Sequence, residues 1–334
     1  MNRMTQRGLG DLSVSALGLG FMSFVRSTDA AEQRQARALV DEAIDHGVTL
    51  FDTADVYGPE TSEILLGRAL AGRRDAVVLA TKFGNALDRD TNPAARVVDA
   101  RPEYVRAAID ASLRRLGTDH VDLYYLHRVD PTVPIEDTVG ALSELVQAGK
   151  VRHIGLSEAG PGTIRRAHAT HPLAALQNEW SLFSRELESV TVPLARELGI
   201  GIVPYSPLGR GWLTGAVRSL DDVSPRQRRH PRFAPETFET NRRLADEVAA
   251  IATEVGARPG QVALAWVLAQ GDDVVPIPGT HELAHLRENL GAADVRLEPE
   301  HLDRLEGIAA RVVGQRSPRP AGLGTEAPPA NASP

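Results

Sequence analysis

The chain has 334 residues, 42% hydrophobic and 24% charged, with a net charge of −7 and no cysteine. This composition suits a soluble globular protein with a sizeable core and argues against a general binder of nucleic acid or anionic membranes. Disulfides, thiolate catalysis and cysteine-ligated zinc are excluded, and a small molecule is the expected partner.

Met1 to Arg7 lacks the apolar core of a signal peptide. No later apolar run reaches the ~18 residues of a membrane span, so a cytoplasmic protein with no membrane partner is expected. Residues 4 to 20 read as a small hairpin and a first strand near Ser15 to Leu19. Gly18-x-Gly20-x-x-Ser23 echoes a dinucleotide fingerprint, but the third glycine is missing and no strand ending in an acidic residue follows at the right distance. A Rossmann dehydrogenase is therefore disfavoured.

Ala36, Leu39, Val40, Ala43 and Ile44 mark one face of a helix over Asp29 to His46, stopped by Gly47. The grammar then repeats: strand Thr49 to Asp52, helix Glu60 to Ala71, strand Val77 to Thr81, helix Pro102 to Leu116, strand Val121 to Leu126 and helix Ile135 to Ala148. It continues with strand Val151 to Leu156, helix Pro161 to Ala169, strand Ala174 to Asn178, helix Val192 to Leu198 and strand Gly201 to Tyr205. After a long Arg-, Pro- and Ser-rich loop come helices Thr240 to Val255 and Pro259 to Gln270, a last strand Val274 to Ile277, and two more helices ending near Val313. Strict alternation means a parallel sheet.

Such a sheet either closes as a barrel or lies open. Asp52, Lys82, His127, Ser157-Glu158, Gln177-Asn178, Tyr205-Ser206 and Gly279-Thr280 all follow strands at the same end. That suits a (β/α)8 barrel with an N-terminal β-hairpin and two extra helices, formed by residues 1–313 as one domain. Residues 314–334, rich in Pro, Ala and Gly, are expected to be a disordered tail.

A barrel would bring Asp52, Tyr57, Lys82 and His127 onto one rim. A phenol ionises near pH ~10, and an adjacent ammonium lowers that by roughly 1 to 3 units. Lys82 would supply the charge, Asp52 would hold Lys82, and His127 would hydrogen-bond a carbonyl oxygen as charge develops on it. The nucleophile is missing, and a bound hydride donor fills that gap.

At this point the chain resembles the aldo-keto reductases over roughly residues 5 to 312. The resemblance rests on Phe51-Asp-Thr-Ala-Asp-Val-Tyr-Gly58, Thr81-Lys-Phe-Gly84, Asp122-Leu-Tyr-Tyr-Leu-His-Arg128, Ile154-Gly-Leu-Ser157, Leu176-Gln-Asn-Glu-Trp-Ser-Leu182, Tyr205-Ser-Pro-Leu-Gly-Arg-Gly211 and Ile277-Pro-Gly-Thr280 with Glu288-Asn289. Seven motifs in order are highly specific. The resemblance implies a catalytic tetrad of Tyr57 as general acid, Lys82, Asp52 and His127. It implies that Ser157 and Gln177 hold the nicotinamide carboxamide and that Tyr205 stacks on the ring. Ser206, Pro207, Leu208, Gly209, Arg210 and Gly211 would lie along the pyrophosphate. Gly279, Thr280, His281, His285, Glu288 and Asn289 would hold the adenosine end, with Met22 and Asp52 also near the cofactor.

NADPH is the expected cofactor, although Gly279, Thr280 and His281 stand where relatives often place an arginine or lysine for the 2′-phosphate; NADH stays open. Phe21, Phe24, Phe83 and Trp180 are candidates to line the substrate pocket. Arg128 is a further candidate, weighed against a pairing with Asp130 or solvent. His168 and His171 lack a credible metal triad, so no metal site is expected. The activity implied is reversible NAD(P)H-dependent reduction of an aldehyde or ketone, and a homo-oligomer is compatible with it. The alternative is a nucleotide-binding regulatory or interaction subunit on the same barrel, with little turnover.

Overall fold

The computed structural model describes residues 4–88, 92–225, 227–318 and 323–330, with backbone alone for 86–88 and 92–96. Strand β1 (Gln6–Leu9) pairs antiparallel with β2 (Leu12–Ser15). This hairpin closes the N-terminal end of a barrel: Leu9 and Val14 pack with Leu50, Ala80, Leu123 and Val203 of the interior. Arg7 pins it by donating to the carbonyls of Leu268 at 2.9 Å, Gly271 at 2.8 Å and Val274 at 2.6 Å.

The ring is built from β3 (Leu19–Gly20), β4 (Leu50–Asp52) and β5 (Val78–Phe83), followed by the hairpin strands β6 (Asn85–Asp88) and β7 (Asn92–Val98) outside it. It continues with β8 (Val121–Leu126), β9 (Val151–Ser157), β10 (Leu173–Glu179) and β11 (Gly201–Tyr205). The order is β3-β4-β5-β8-β9-β10-β11, all parallel. Helices α1 (Ala30–Asp45), α2 (Thr61–Ala69), α3 (Pro102–Leu116), α4 (Ile135–Gln147), α5 (Pro161–Thr170) and α6 (Thr191–Glu197) alternate with them. The side chain of Asp29 caps α1, accepting from the amides of Ala31 at 2.8 Å and Glu32 at 3.0 Å.

Interior space is tight where Tyr125 crosses the barrel. A Cβ on Gly155 would stand 2.4 Å from the Tyr125 ring, so only glycine lets β9 pass it.

The expected last strand, Val274 to Ile277, is not a regular strand. The segment from 273 to 279 nevertheless closes the ring, bridging Val274 to Ile202 of β11 and Gly279 to Gly20 of β3. The amide of Val275 donates to Ile202 O at 2.9 Å and that of Ile277 to Pro204 O at 3.0 Å, while Gly18 donates to Pro276 O at 3.0 Å. Pro276 and Pro278 have no N–H to give, which breaks the ladder without opening the barrel.

Helices α7 (Pro235–Glu254), α8 (Pro259–Leu268), α9 (Leu283–Leu290) and α10 (Pro299–Ala309) complete the fold. Helix α7 starts earlier than expected, at Pro235, whose fixed φ suits a first helical turn. Arg304 of α10 ties to Glu254 of α7 at 2.9 Å. The β6–β7 hairpin was not foreseen.

Of the segment expected to be a disordered tail, residues 314–318 and 323–330 are described. Among its described residues, Arg316 pairs with buried Glu158 at 2.8 Å, Ala327 is buried, and Glu326 accepts from the amide of Gly162 at 2.8 Å. Polar contacts together with the burial of Ala327 hold the described part, and composition does not register that.

Candidate active site

Side-chain parity along the strands builds the site. Leu50 of β4, Ala80 of β5, Leu123 and Tyr125 of β8, Ala175 of β10 and Val203 of β11 point inward. Two residues further on, the same face carries Asp52, Lys82, His127, Gln177 and Tyr205. Apolar side chains thus fill the barrel below, and polar ones emerge at its C-terminal end around a cavity of about 1070 Å³. Asp52, Tyr57, His127, Ser157, Gln177 and Tyr205 line it.

Lys82 is fully buried beneath this floor. Its Nζ donates to Asp52 Oδ1, to Thr53 O at 2.8 Å and to the Tyr57 hydroxyl at 3.4 Å. The second Asp52 oxygen accepts from Gln177 Nε2 at 2.8 Å. Burial pushes the Asp52 carboxyl up. Burial also opposes the Lys82 charge, but Asp52 and Tyr57 together hold the ammonium above its ordinary range. The Tyr57 and His127 rings meet edge to face, with centroids 5.8 Å apart and planes at 87°. A charged lysine thus backs a phenol that faces both a cavity and a histidine.

Asp55, on the same loop, has no such partner set. Burial, with Glu63 nearby, pushes its carboxyl up to about 8, so it is protonated at neutral pH.

Most of the expected cofactor residues line the same cavity: Met22, Ser206, Pro207, Leu208, Arg210, Gly211, Gly279, Thr280, His285, Glu288 and Asn289. Gly209 is buried and outside the lining. His281 also lies outside it, with Nε2 3.9 Å from Glu282, which stands 3.8 Å from His285 as well. Arg210 reaches the cavity but commits Nη2 to Glu179 at 2.7 Å. Four described non-glycine residues have left-handed φ: Glu60 at 66°, Glu158 at 55°, Ser206 at 49° and Arg210 at 58°. Ser206 and Arg210 line the cavity, where such strain concentrates.

The aromatic substrate-pocket candidates are placed elsewhere. Phe83 has the outward parity of β5 and stacks on Tyr124 at 4.8 Å; Phe21 stacks on Phe24 at 4.3 Å. Trp180 is buried and donates Nε1 to Glu188 at 2.8 Å. Met22, Val25, Val56, Asn85 and His230 line the cavity instead. A strand exit alone does not say which face a side chain takes.

Arg128 lines the cavity beside His127. Its Nη1 donates to His127 O at 2.6 Å and to Ser157 Oγ at 3.2 Å. Asp130, the partner weighed for it, is taken by Thr132, through its amide at 2.9 Å and its hydroxyl at 2.6 Å. Glu158, one of the polar strand exits of the sequence but given no role there, and Arg316, which no motif marks, stand behind Tyr205 without lining the cavity themselves. Among the described residues no cluster of three or more metal-ligating side chains occurs, and no helix is long and apolar enough to cross a membrane.

Residues 16–310 match the sequence profile of the Aldo/keto reductase family. The chain is 46% identical over 299 residues to probable aldo-keto reductase 1 of Glycine max, covering 88% of this chain and 85% of that one. It also resembles the solved glycerol dehydrogenase of Gluconobacter oxydans, with 29% identity, a TM-score of 0.82, and 94% and 97% of the two chains covered. A solved aldo-keto reductase of Bacillus halodurans in its holo form matches with 29% identity, a TM-score of 0.78, and 94% and 99% coverage. The chain belongs to the aldo/keto reductase family, oxidoreductases that use nicotinamide cofactors and act on small-molecule carbonyl compounds.

Proposed function

We propose that this chain reduces an aldehyde or ketone with NADPH, reversibly, and that Tyr57 is its general acid. The observation that carries this is the Tyr57 hydroxyl 3.4 Å from the buried Lys82 ammonium, at the floor of the cavity. The Lys82 ammonium stands where negative charge develops on the Tyr57 oxygen as its proton leaves. Asp52 keeps Lys82 in place and charged. His127, edge-on to Tyr57, orients the substrate oxygen between the two rings. In the oxidative direction Tyr57 takes the proton back.

The residues present suit a dinucleotide. At about 1070 Å³ the cavity reaches the upper end of the ~300–1,000 Å³ usual for small-ligand sites. Gly20, Gly211 and Gly279 keep its wall thin, while Ser206, Thr280 and Asn289 offer hydrogen bonds. Bound there, the nicotinamide supplies the hydride and accepts it in the reverse direction. Ser157 and Gln177 would hold its carboxamide end, with Tyr205 beside the ring and residues 206–211 along the pyrophosphate. Thr280, His285, Glu288 and Asn289 hold the adenosine end.

Met22, Val25 and Val56 give the substrate an apolar wall, and Arg128 offers it a cation beside the reacting oxygen. Tyr57→Phe tests the assignment: carbonyl reduction is lost while NADPH binding, followed by fluorescence, stays near wild type. An active variant would sink the assigned acid. Tight NADPH binding without turnover in the wild type would favour a regulatory subunit.

A further inference from the structure

Glu158 has no part in the roles above, yet it is 1% exposed and lies directly behind Tyr205, which lines the cavity. Its left-handed φ of 55° is strained for a non-glycine residue and persists only where surrounding contacts over-determine it. The contacts are there. Oε1 accepts from the Tyr205 hydroxyl at 2.9 Å, from Arg316 Nη1 at 2.9 Å and from the Glu179 amide at 3.0 Å; Oε2 accepts from Arg316 Nη2 at 2.8 Å. Its carbonyl accepts from the amides of Gly324 at 3.0 Å and Thr325 at 3.3 Å. The C-terminal segment therefore grips Glu158 by side chain and backbone alike.

The same segment is anchored on α5. Glu326 accepts from the amides of Gly162 and Thr163 at 2.8 and 2.5 Å, a carboxylate placed on a helix N-terminus. Arg166 donates to Ala327 O at 2.6 Å and to Pro328 O at 3.0 Å.

Burial would push the Glu158 carboxyl up, but the two-pronged bond from Arg316 holds it below its usual range. Glu158 is thus an ionised acceptor, and the proton of the Tyr205 phenol stays on its oxygen. A tyrosine side chain otherwise swings about its first torsion, which carries the ring and its hydroxyl together between rotamers. Here a hydrogen bond to a fixed carboxylate holds its far end, in the wall of the cavity.

We propose that Arg316 is a positioning residue: through Glu158 it fixes the Tyr205 ring and so forms the nicotinamide end of the cavity. The proposal rests on the cofactor reading above. It extends that reading, because it makes the C-terminal segment part of the cofactor site without touching the cofactor.

The test compares two probes, NADPH and 2′-phospho-ADP-ribose, which lacks only the nicotinamide. Arg316→Ala is expected to weaken NADPH about tenfold and to leave 2′-phospho-ADP-ribose within about twofold, a selective loss that general destabilisation does not produce. Arg316→Lys, with one ammonium in place of a two-pronged fork, is expected to recover part of the affinity, and it replaces the alanine variant if that fails to fold. Tyr205→Phe keeps the ring and removes the link, so adding Arg316→Ala to it is expected to cost little more NADPH affinity. Unchanged NADPH affinity in Arg316→Ala, equal losses for both probes, or additive effects with Tyr205→Phe would overturn the proposal. A wild-type protein that binds neither probe would instead overturn the cofactor reading on which it rests.

Discussion

Gln177 donates from Nε2 to Oδ2 of Asp52 at 2.8 Å, so both oxygens of Asp52 are engaged, one by β10 and the other by Lys82 of β5. A carboxylate satisfied on both sides holds an ammonium in one place, and that ammonium backs the Tyr57 hydroxyl.

Lys82→Met removes the charge and leaves Asp52 buried. Carbonyl reduction is expected to fall by about 10²-fold or more. Breaking one side of a buried pair also costs about 3–5 kcal/mol, read as a lower urea midpoint. The double variant Asp52→Asn with Lys82→Met is expected to regain much of that stability and none of the rate. Recovered turnover would remove Lys82 from the chemistry.

Asp55 gives the stability a pH dependence of unusual sign. Its carboxyl is pushed up to about 8 in the fold, whereas an unfolded aspartate titrates near 3.9. Between these values the folded state binds more protons, so this group's contribution to stability falls as pH rises from about 4 to about 8. Asp55→Asn is expected to leave stability at pH 4 nearly unchanged and to raise Tm at pH 8 by on the order of 5 °C. Parallel pH profiles for the two proteins would show that Asp55 ionises freely.

Arg128 has no carboxylate partner among the described residues, and only its Nη1 is engaged. Its remaining N–H groups suit an anionic substituent near the substrate carbonyl. Arg128→Leu is expected to raise KM about tenfold more for 4-carboxybenzaldehyde than for benzaldehyde. Equal losses would assign Arg128 to the positioning of Ser157 alone.

The adenosine end tests the cofactor. On the proposed NADPH reading, Thr280 and His285, which line the cavity, would take the 2′-phosphate, and Glu282 lies 3.8 Å from His285. Fluorescence titration is expected to give tighter binding for NADPH than for NADH, and Glu282→Gln to tighten NADPH further. Equal affinities for the two cofactors would reject a 2′-phosphate site.

How much was legible follows from what sequence encodes. Alternating strands and helices gave the barrel, because buried parallel strands read as apolar runs. Asp52, Lys82 and His127 were legible because each is a polar residue ending such a run. Phe83 misled for want of parity: it follows Lys82 directly and so faces the helices. Pro276 and Pro278 hid the irregularity of the last strand, since their neighbours Val274, Val275 and Ile277 are as apolar as any strand. The contacts of the C-terminal segment are not legible in composition, because they depend on a few charges, Arg316 and Glu326 above all.

The bridge between Gly20 and Gly279 joins positions near opposite ends of the chain. The ring cannot shut until residue 279 has been made. Until then β3 and β11 are both open edges, and the apolar interior faces solvent along the gap between them. Contacts this distant in sequence slow folding, and open edges invite pairing with other chains. The proline-interrupted segment is the last stave of the barrel, and its arrival converts an aggregation-prone open sheet into a vessel with a floor for chemistry.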